Sequence, residues 1–181
     1  PVINGIIMRN GTSAGQGGAI WGTVGGGLFC ENGSPILISC EIADNQADGG
    51  GGLYLGYCDY FNLLHCTISN NSSMDFGGGA YILGSGGYIE DCTFSDNYSD
   101  NHGGGAYISY GDPDLVDNRF ENNFAIRDGG GLMMYTTGAN LTQNVFLQNQ
   151  ANQGAGVRSY SSDGDIERKE FQRNVAESSG G

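Results

Sequence analysis

Residues 94–107 read FSDNYSDNHGGGAY, and residues 68–81 read ISNNSSMDFGGGAY. Each segment places a large apolar residue three positions before an asparagine, and a run of glycines follows. The asparagine recurs along the chain at Asn10, Asn45, Asn71, Asn97, Asn123, Asn149 and Asn174. The steps between Asn45 and Asn149 are 26 residues each, the last step is 25 and the first is 35. A repeat of this length is typical of a solenoid.

Columns of apolar residues follow from this register. The residue three positions before each asparagine is Ile7, Ile42, Ile68, Phe94, Phe120, Phe146 or Phe171. Five positions earlier stand Leu37, Leu63, Ile89, Leu115, Leu141 and Ile166, and the glycines are followed by Ala19, Leu53, Ala80, Ala106, Leu132 and Val157. The apolar positions alternate with a period of two, which indicates short strands and excludes helices.

A unit of 26 residues with two or three short strands cannot bury its apolar face alone, so the units stack at ~4.8 Å per coil. We therefore predict an all-β fold: a right-handed single-stranded parallel β-helix, a pectate-lyase-like solenoid of about seven coils. Residues 1–181 form one segment of it, with an irregular insertion near residues 21–27. Because an open coil exposes strand edges, we expect further coils beyond both ends.

The asparagines and glycines are predicted to be structural. Asparagine at a tight turn bonds the backbone of the next coil, which gives a ladder of stacked side chains. The glycine runs allow positive φ and close backbone approach. They lead into strands, with no helix N-terminus to bind a phosphate.

Composition limits the partners. The formal net charge is −13, which argues against nucleic acid and anionic membranes because both require a basic face. No run approaches the ~20 apolar residues of a membrane-spanning helix. An acidic chain of this kind suits a soluble, secreted surface.

The repeat resembles that of the polymorphic outer membrane proteins, the passengers of chlamydial autotransporters. The resemblance rests on GGA[IY] elements paired with FxxN elements over essentially the whole chain. The first element occurs at Gly17–Ile20, Gly78–Tyr81 and Gly104–Tyr107; the second occurs at Phe94–Asn97, Phe120–Asn123, Phe146–Asn149 and Phe171–Asn174. The resemblance implies a surface-displayed or secreted passenger, often adhesive.

The five cysteines give two alternatives. Cys40, Cys66 and Cys92 share one column, which Asn118 and Asn144 continue, and this favours buried free thiols over disulfides. Cys30 and Cys58 are close enough in register that a bridge between them is the alternative. No zinc site is expected, because CxxC pairs are absent from the sequence.

An enzyme of this architecture would need carboxylates with an arginine base. Asp117, Arg119 and Glu121 alternate along one strand, and Asp91 lies one coil away in the register of Asp117. These four residues are weak candidates, since alternating charges are also what a solvated strand carries. Inverting hydrolases use several strand-borne aspartates and a histidine around one cleft, and neither His65 nor His102 has such neighbours in this register.

A calcium site is a further candidate. Asp48, Asp75, Asp100 and Asp128 fall within two positions of one another in successive coils. Bound Ca²⁺ would relieve the repulsion between stacked carboxylates. A solvated acidic edge is the simpler interpretation.

Tyr54, Tyr81 and Tyr107 occupy one outward column, preceded by Ile20 and followed by Met133. An exposed aromatic row of this kind stacks on sugar rings or on another surface. The sequence therefore favours an extracellular structural or adhesive module that presents repetitive faces to glycans, proteins or filament neighbours, without catalysis. A polysaccharide lyase or another carbohydrate-active enzyme is the alternative.

Overall fold

The computed structural model describes residues 2–12 and 23–180. These residues form an all-β, right-handed parallel β-helix of about six turns. Each coil contributes strands to four parallel sheets of six or seven strands, whereas the sequence predicts two or three strands per coil. The described part contains no helix with the length and apolarity needed to cross a bilayer.

The sheets are numbered in the order in which a coil passes through them. Sheet 1 contains β1 (Val2–Asn4), β4 (Ile36–Ile38), β8 (Phe61–Leu64), β12 (Gly87–Glu90), β16 (Asp114–Val116), β20 (Asn140–Thr142) and β24 (Ile166–Glu167). Sheet 2 contains β2 (Ile7–Arg9), β5 (Glu41–Ala43), β9 (Thr67–Ser69), β13 (Thr93–Ser95), β17 (Arg119–Glu121), β21 (Val145–Leu147) and β25 (Glu170–Gln172). Sheet 3 contains β6 (Gln46–Gly49), β10 (Ser72–Phe76), β14 (Tyr98–Ser99), β18 (Phe124–Ala125), β22 (Gln150–Gln153) and β26 (Val175–Ser179). Sheet 4 contains β3 (Leu28–Glu31), β7 (Leu53–Gly56), β11 (Ala80–Leu83), β15 (Ala106–Ser109), β19 (Leu132–Tyr135) and β23 (Val157–Tyr160).

One core runs the length of the solenoid, and its rows are the apolar columns of the sequence. Leu63 pairs with Ile89 in sheet 1, and Phe94 pairs with Phe120 in sheet 2. Four phenylalanines stack face to face in successive coils, with ring centroids 4.7–5.1 Å apart: Phe94, Phe120, Phe146 and Phe171. This aromatic row replaces the isoleucines of the earlier coils and adds stacking to simple area burial.

The asparagine ladder is present from Asn45 to Asn174. Asn97 is typical: its Oδ1 accepts the backbone N–H and the Nδ2–H of Asn71, at 3.0 and 3.1 Å. Its own Nδ2 donates to the Ile68 carbonyl at 2.9 Å and to Asn123 Oδ1 at 3.0 Å. Each buried amide thus satisfies donors and acceptors of three coils, which confirms the structural role of this column.

The first coil departs from the predicted register by one residue. Met8, and not Ile7, pairs with Ile42, and the Gly11 N–H donates to Asn45 Oδ1. Asn10 therefore lies outside the ladder. It has φ = 59° and occupies the left-handed turn position that Asp44 fills one coil later, a conformation that asparagine tolerates.

The irregular insertion also lies earlier than expected. Gly25–Gly27 pair with the regular run Gly49–Gly52, so β3 takes the place assigned to Ala19 and Ile20. Thr12 pairs with Gln46 and Val24 with Gly49, so the extra residues fall between Thr12 and Thr23. Ala19, Ile20, Trp21 and the Gly17–Ile20 element lie outside the described residues.

The glycine run at the entry to sheet 4 has two steric causes. Gly103 has φ = 70°, a left-handed conformation that other residues adopt at a cost. A Cβ on Gly104 would lie 2.5 Å from the carbonyl oxygens of Gly130 and Phe124. The backbone of the next coil approaches so closely here that a side chain at Gly104 would clash, and Ala155 fills the equivalent position two coils later.

All five cysteines are free thiols. Cys40, Cys66 and Cys92 are buried in one column, and Cys92 Sγ accepts the Cys66 N–H at 3.3 Å. The Cys58 thiol donates to Cys30 Sγ at 3.9 Å, and no disulfide joins the two. The interpretation as free thiols is confirmed.

We predict that Asn97→Ala lowers the free energy of unfolding by about 3 kcal/mol, because it leaves buried donors of Asn71 and acceptors of two coils unpaired. Chemical denaturation measures the loss. Asn62→Ala is the matched control: Asn62 Oδ1 has no hydrogen-bond partner, so the change should be within about 0.5 kcal/mol. Equal effects of the two substitutions would contradict the role of the ladder.

We predict that iodoacetamide modifies Cys30 before any other cysteine in the folded protein. Cys30 is half-buried, whereas the side chains of the other four are enclosed. Burial raises the pKa of the Cys30 thiol, so labelling should accelerate as the pH rises, because the thiolate is the nucleophile. Peptide mapping after timed alkylation checks the order, and early labelling of Cys66 or Cys92 would count against it.

Candidate functional site

The outward face of sheet 4 carries the three tyrosines that were predicted to bind a ligand. Tyr54, Tyr81 and Tyr107 pair directly in successive coils, with Phe29 before them and Met133 after them. The prediction of an exposed row is wrong, because the three tyrosines are only 5%, 4% and 7% exposed. They form the floor of the face and not its rim.

The tyrosines are buried because they cover one another. Tyr81 meets Tyr54 and Tyr107 edge to face, with ring centroids 5.3 Å apart and interplanar angles of 74° and 78°. Phe76, at the end of sheet 3, lies 5.6 Å from Tyr81 and 4.7 Å from Tyr107. Burial raises the pKa of Tyr54 to about 12, so this hydroxyl stays protonated throughout the neutral range.

Two depressions lie over this row of buried tyrosines. The first has a volume of about 280 Å³. Its lining consists of Val24, Phe29, Glu31, Tyr54, Tyr57, Tyr81 and Leu83. Phe29 and Tyr57 are 53% and 54% exposed, so aromatic surface is accessible at the rim.

The second depression has a volume of about 360 Å³ and lies over the following coils. Its lining consists of Phe76, His102, Tyr107, Asp128, Met133, Tyr135, Gln153, Arg158 and Tyr160. Tyr135 and Tyr160 stack with ring centroids 5.3 Å apart and planes 4° apart. Tyr160 is 51% exposed, which leaves a flat ring open to solvent.

His102 and Asp128 form a pair in the wall of the second depression. His102 Nδ1 lies 3.1 Å from Asp128 Oδ2, and both side chains are about one-fifth exposed. The imidazole also stacks on the Phe76 ring, with the planes 7° apart. A histidine held in this way can accept a proton from a bound ligand.

Burial lowers the pKa of His102, and the nearby Asp128 carboxylate opposes that shift only in part. The folded protein therefore holds His102 neutral at pH 7. His65 is also beside an aspartate, with Nδ1 2.9 Å from Asp91 Oδ2, but that pair is exposed. Each histidine thus has one aspartate beside it, because residues 26 apart in sequence are neighbours, but within the described residues neither has the several aspartates of an inverting hydrolase.

The candidate catalytic residues lie on sheet 2 and on the turn before it. Arg119 Nε donates to Glu121 Oε2 at 2.6 Å, and Asp117 Oδ1 accepts Gln143 Nε2 at 2.7 Å. Asp91 pairs with His65, and within the described residues neither Asp91 nor Asp117 bonds Arg119. Such pairs are what a solvated sheet face shows, and catalysis by Arg119 stays a prediction.

The four aspartates proposed for calcium occupy three positions. Asp48 and Asp75 precede the paired residues Gly49 and Phe76, whereas Asp128 pairs with His102 one position later. Asp100 lies one position earlier and accepts the Tyr98 hydroxyl at 2.7 Å. No three His, Cys, Asp or Glu side chains among residues 2–12 and 23–180 are grouped for a metal ion. The calcium site stays a prediction.

Sequence reasoning did not identify the residues that form the rims and walls of the depressions. Phe29 was not identified because the sequence analysis assigned the first coil to the wrong residues. Arg158 follows Met133 in the floor column, but after a coil of 25 residues and not 26. The 26-residue spacing of His102 and Asp128 was readable from the sequence. The stacking of Tyr135 on Tyr160 follows from the same register.

Comparison with known proteins gives one match. No curated protein and no solved structure matches the chain significantly. A family model described as "Right handed beta helix region" matches residues 4–176. Since this match covers nearly the whole chain and agrees with four parallel sheets wound as coils, the chain belongs to the right-handed β-helix family.

Proposed function

We propose that this chain is an extracellular, non-catalytic glycan-binding module of a surface-displayed or secreted adhesive protein. The observation that carries the proposal is the pair of depressions on sheet 4, each with accessible aromatic rings above a rigid floor. Aromatic rings bind the apolar faces of sugars, while polar groups in the walls fix orientation.

The regularity of the face supports binding of an extended ligand. Successive coils are separated by ~4.8 Å, so the two depressions line up along the axis of the solenoid. Tyr81 of the first depression contacts Phe76 and Tyr107 of the second. A polymer lying along the axis would contact both depressions, whereas a single small ligand would need only one.

The resemblance of the GGA[IY] and FxxN elements to polymorphic outer membrane protein passengers supports the same setting. Such a module would adhere to a glycan-coated surface, a protein or a neighbouring filament. The acidic surface, with its net charge of −13, would keep a long solenoid soluble outside the cell.

A carbohydrate-active enzyme is the second candidate, and His102 is the observation that favours it. A neutral imidazole beside a carboxylate, in the wall of a depression, has the geometry of a general base. On this proposal the reaction would take place in the second depression and not at Arg119.

Tyr57→Asn tests binding at the first depression. Asn32 occupies the same left-handed position one coil earlier, so the fold should accept the change. We expect retention on a bound polysaccharide to weaken about tenfold, because an exposed stacking ring is lost.

The measurement uses a panel of neutral and acidic polysaccharides, with and without calcium, and records both retention and product masses. Tyr88→Asn is the matched control, since Tyr88 is exposed on sheet 1 and pairs with Asn62 of the previous coil. Shortened products would support the enzyme. No retention of any polysaccharide would reject the binding proposal.

We predict that NMR titration gives His102 a pKa below 6.5, because burial disfavours the imidazolium. The unfolded chain then takes up this proton first as the pH falls through 6.5, so His102 destabilises the fold progressively below that pH. Asp128→Asn should lower the pKa of His102 further, because an attractive charge is removed. Asp91→Asn, on the exposed pair, should leave the His102 titration unchanged; the opposite order would refute this account.

A further inference from the structure

Arg158 is the basic residue that the fold places inside the second depression. It follows Met133 in the floor column of sheet 4, next to the exposed ring of Tyr160. Its side chain is half-buried, and its Nε atom is fully enclosed. A guanidinium in this position has lost much of its contact with water.

The enclosed Nε–H of Arg158 has no hydrogen-bond partner among the described residues. No carboxylate of the described chain lies within ion-pair distance of this arginine, although Asp128 lines the same depression. By contrast, Arg9 pairs with Glu41 and Arg119 pairs with Glu121. The terminal guanidinium nitrogens of Arg158 are not enclosed and donate to no residue of the described chain, so they are available to an acceptor supplied by a ligand.

The surroundings of Arg158 define the kind of acceptor. The stacked rings of Tyr135 and Tyr160 provide an apolar platform for a sugar, and His102 is held neutral beside them. Arginine presents its donors as a planar fork that matches the oxygens of a carboxylate or a sulfate. The two tyrosine rings and the Arg158 guanidinium together suit a sugar ring that carries an anionic group.

We propose that the second depression binds the carboxylate or sulfate group of an acidic glycan, and that Arg158 is the residue that holds this anion. The proposal deepens the glycan-binding function and depends on it. The sugar ring lies against Tyr160, and the anionic group accepts hydrogen bonds from the two terminal guanidinium nitrogens of Arg158.

The net negative charge of the chain repels an anionic ligand, so binding depends on the contacts that Arg158 makes within the depression. A net charge of −13 repels an anionic polymer at long range, so association should be faster at higher salt, where that repulsion is screened. Arg158 acts at contact distance and in a partly enclosed site, where salt screens little. Asp128 opposes the anion, so Asp128→Asn should tighten binding.

The test uses three monosaccharide probes, which are methyl glucuronide, glucose 6-sulfate and the neutral methyl glucoside, and acetate as an anion without a sugar. NMR follows the Arg158 Nε–Hε signal during each titration. We expect the signal to shift with one or both anionic probes, and the neutral probe to bind at least tenfold more weakly. The anionic probe that shifts it at the lower concentration distinguishes a carboxylate ligand from a sulfate ligand.

Two substitutions separate the anion site from general effects. Arg158→Gln should weaken binding of the anionic probes at least tenfold and leave the neutral probe unaffected. Arg173→Gln is the matched control, because Arg173 is an exposed turn residue whose position is occupied by Gln148 one coil earlier. Thermal unfolding shows whether both variants fold.

An Arg158 signal that does not move with any probe would overturn the proposal, and so would equal losses in the two variants. Binding of plain acetate as tightly as methyl glucuronide would also overturn it, because the sugar would then be irrelevant. If polysaccharides are retained but Arg158→Gln changes nothing, only the anion site is rejected. If no polysaccharide is retained, the glycan-binding function itself is rejected.

Discussion

The stacking of identical corners is the constraint on which this structure depends. Each coil must leave sheet 3 and enter sheet 4 with its backbone in contact with the neighbouring coils, and glycine fills nearly all of these positions. The asparagine ladder fixes the preceding turn by sharing each amide among three coils. Once the corner and the ladder are set, every side chain of a coil has a fixed neighbour one repeat away.

Because of this constraint, the spacing of residues in the sequence determines which side chains are neighbours on the surface. Tyr54, Tyr81 and Tyr107 are neighbours because each follows its glycine run by the same distance. Their rings meet edge to face, whereas the phenylalanines of sheet 2 stack flat at the same coil spacing. The same register brings His102 beside Asp128, and Tyr135 beside Tyr160, so the depressions are products of repetition and not of special loops.

The sequence predicted the coil length, the core columns and the ladder because these positions each demand one narrow class of residue. Phe120 or Asn123 can be assigned without a structure, since the neighbouring coils repeat them. The burial of Tyr81 could not be predicted, because it depends on Phe76 reaching across from another sheet. The first coil was misplaced because Asn10 fits both the ladder and the left-handed turn, and only the pairing of Gly11 with Asn45 distinguishes the two.

The stack of Phe94, Phe120, Phe146 and Phe171 has a consequence for how such a chain can change in length. Each ring fits only against a partner one whole repeat away, so a gene duplication that preserves the core must add or remove entire coils. Adding one coil would lengthen the binding face by one strand spacing and create another site for a ring or a charge. The side chains on the surface can therefore change with each added coil, while the core repeats the same residues.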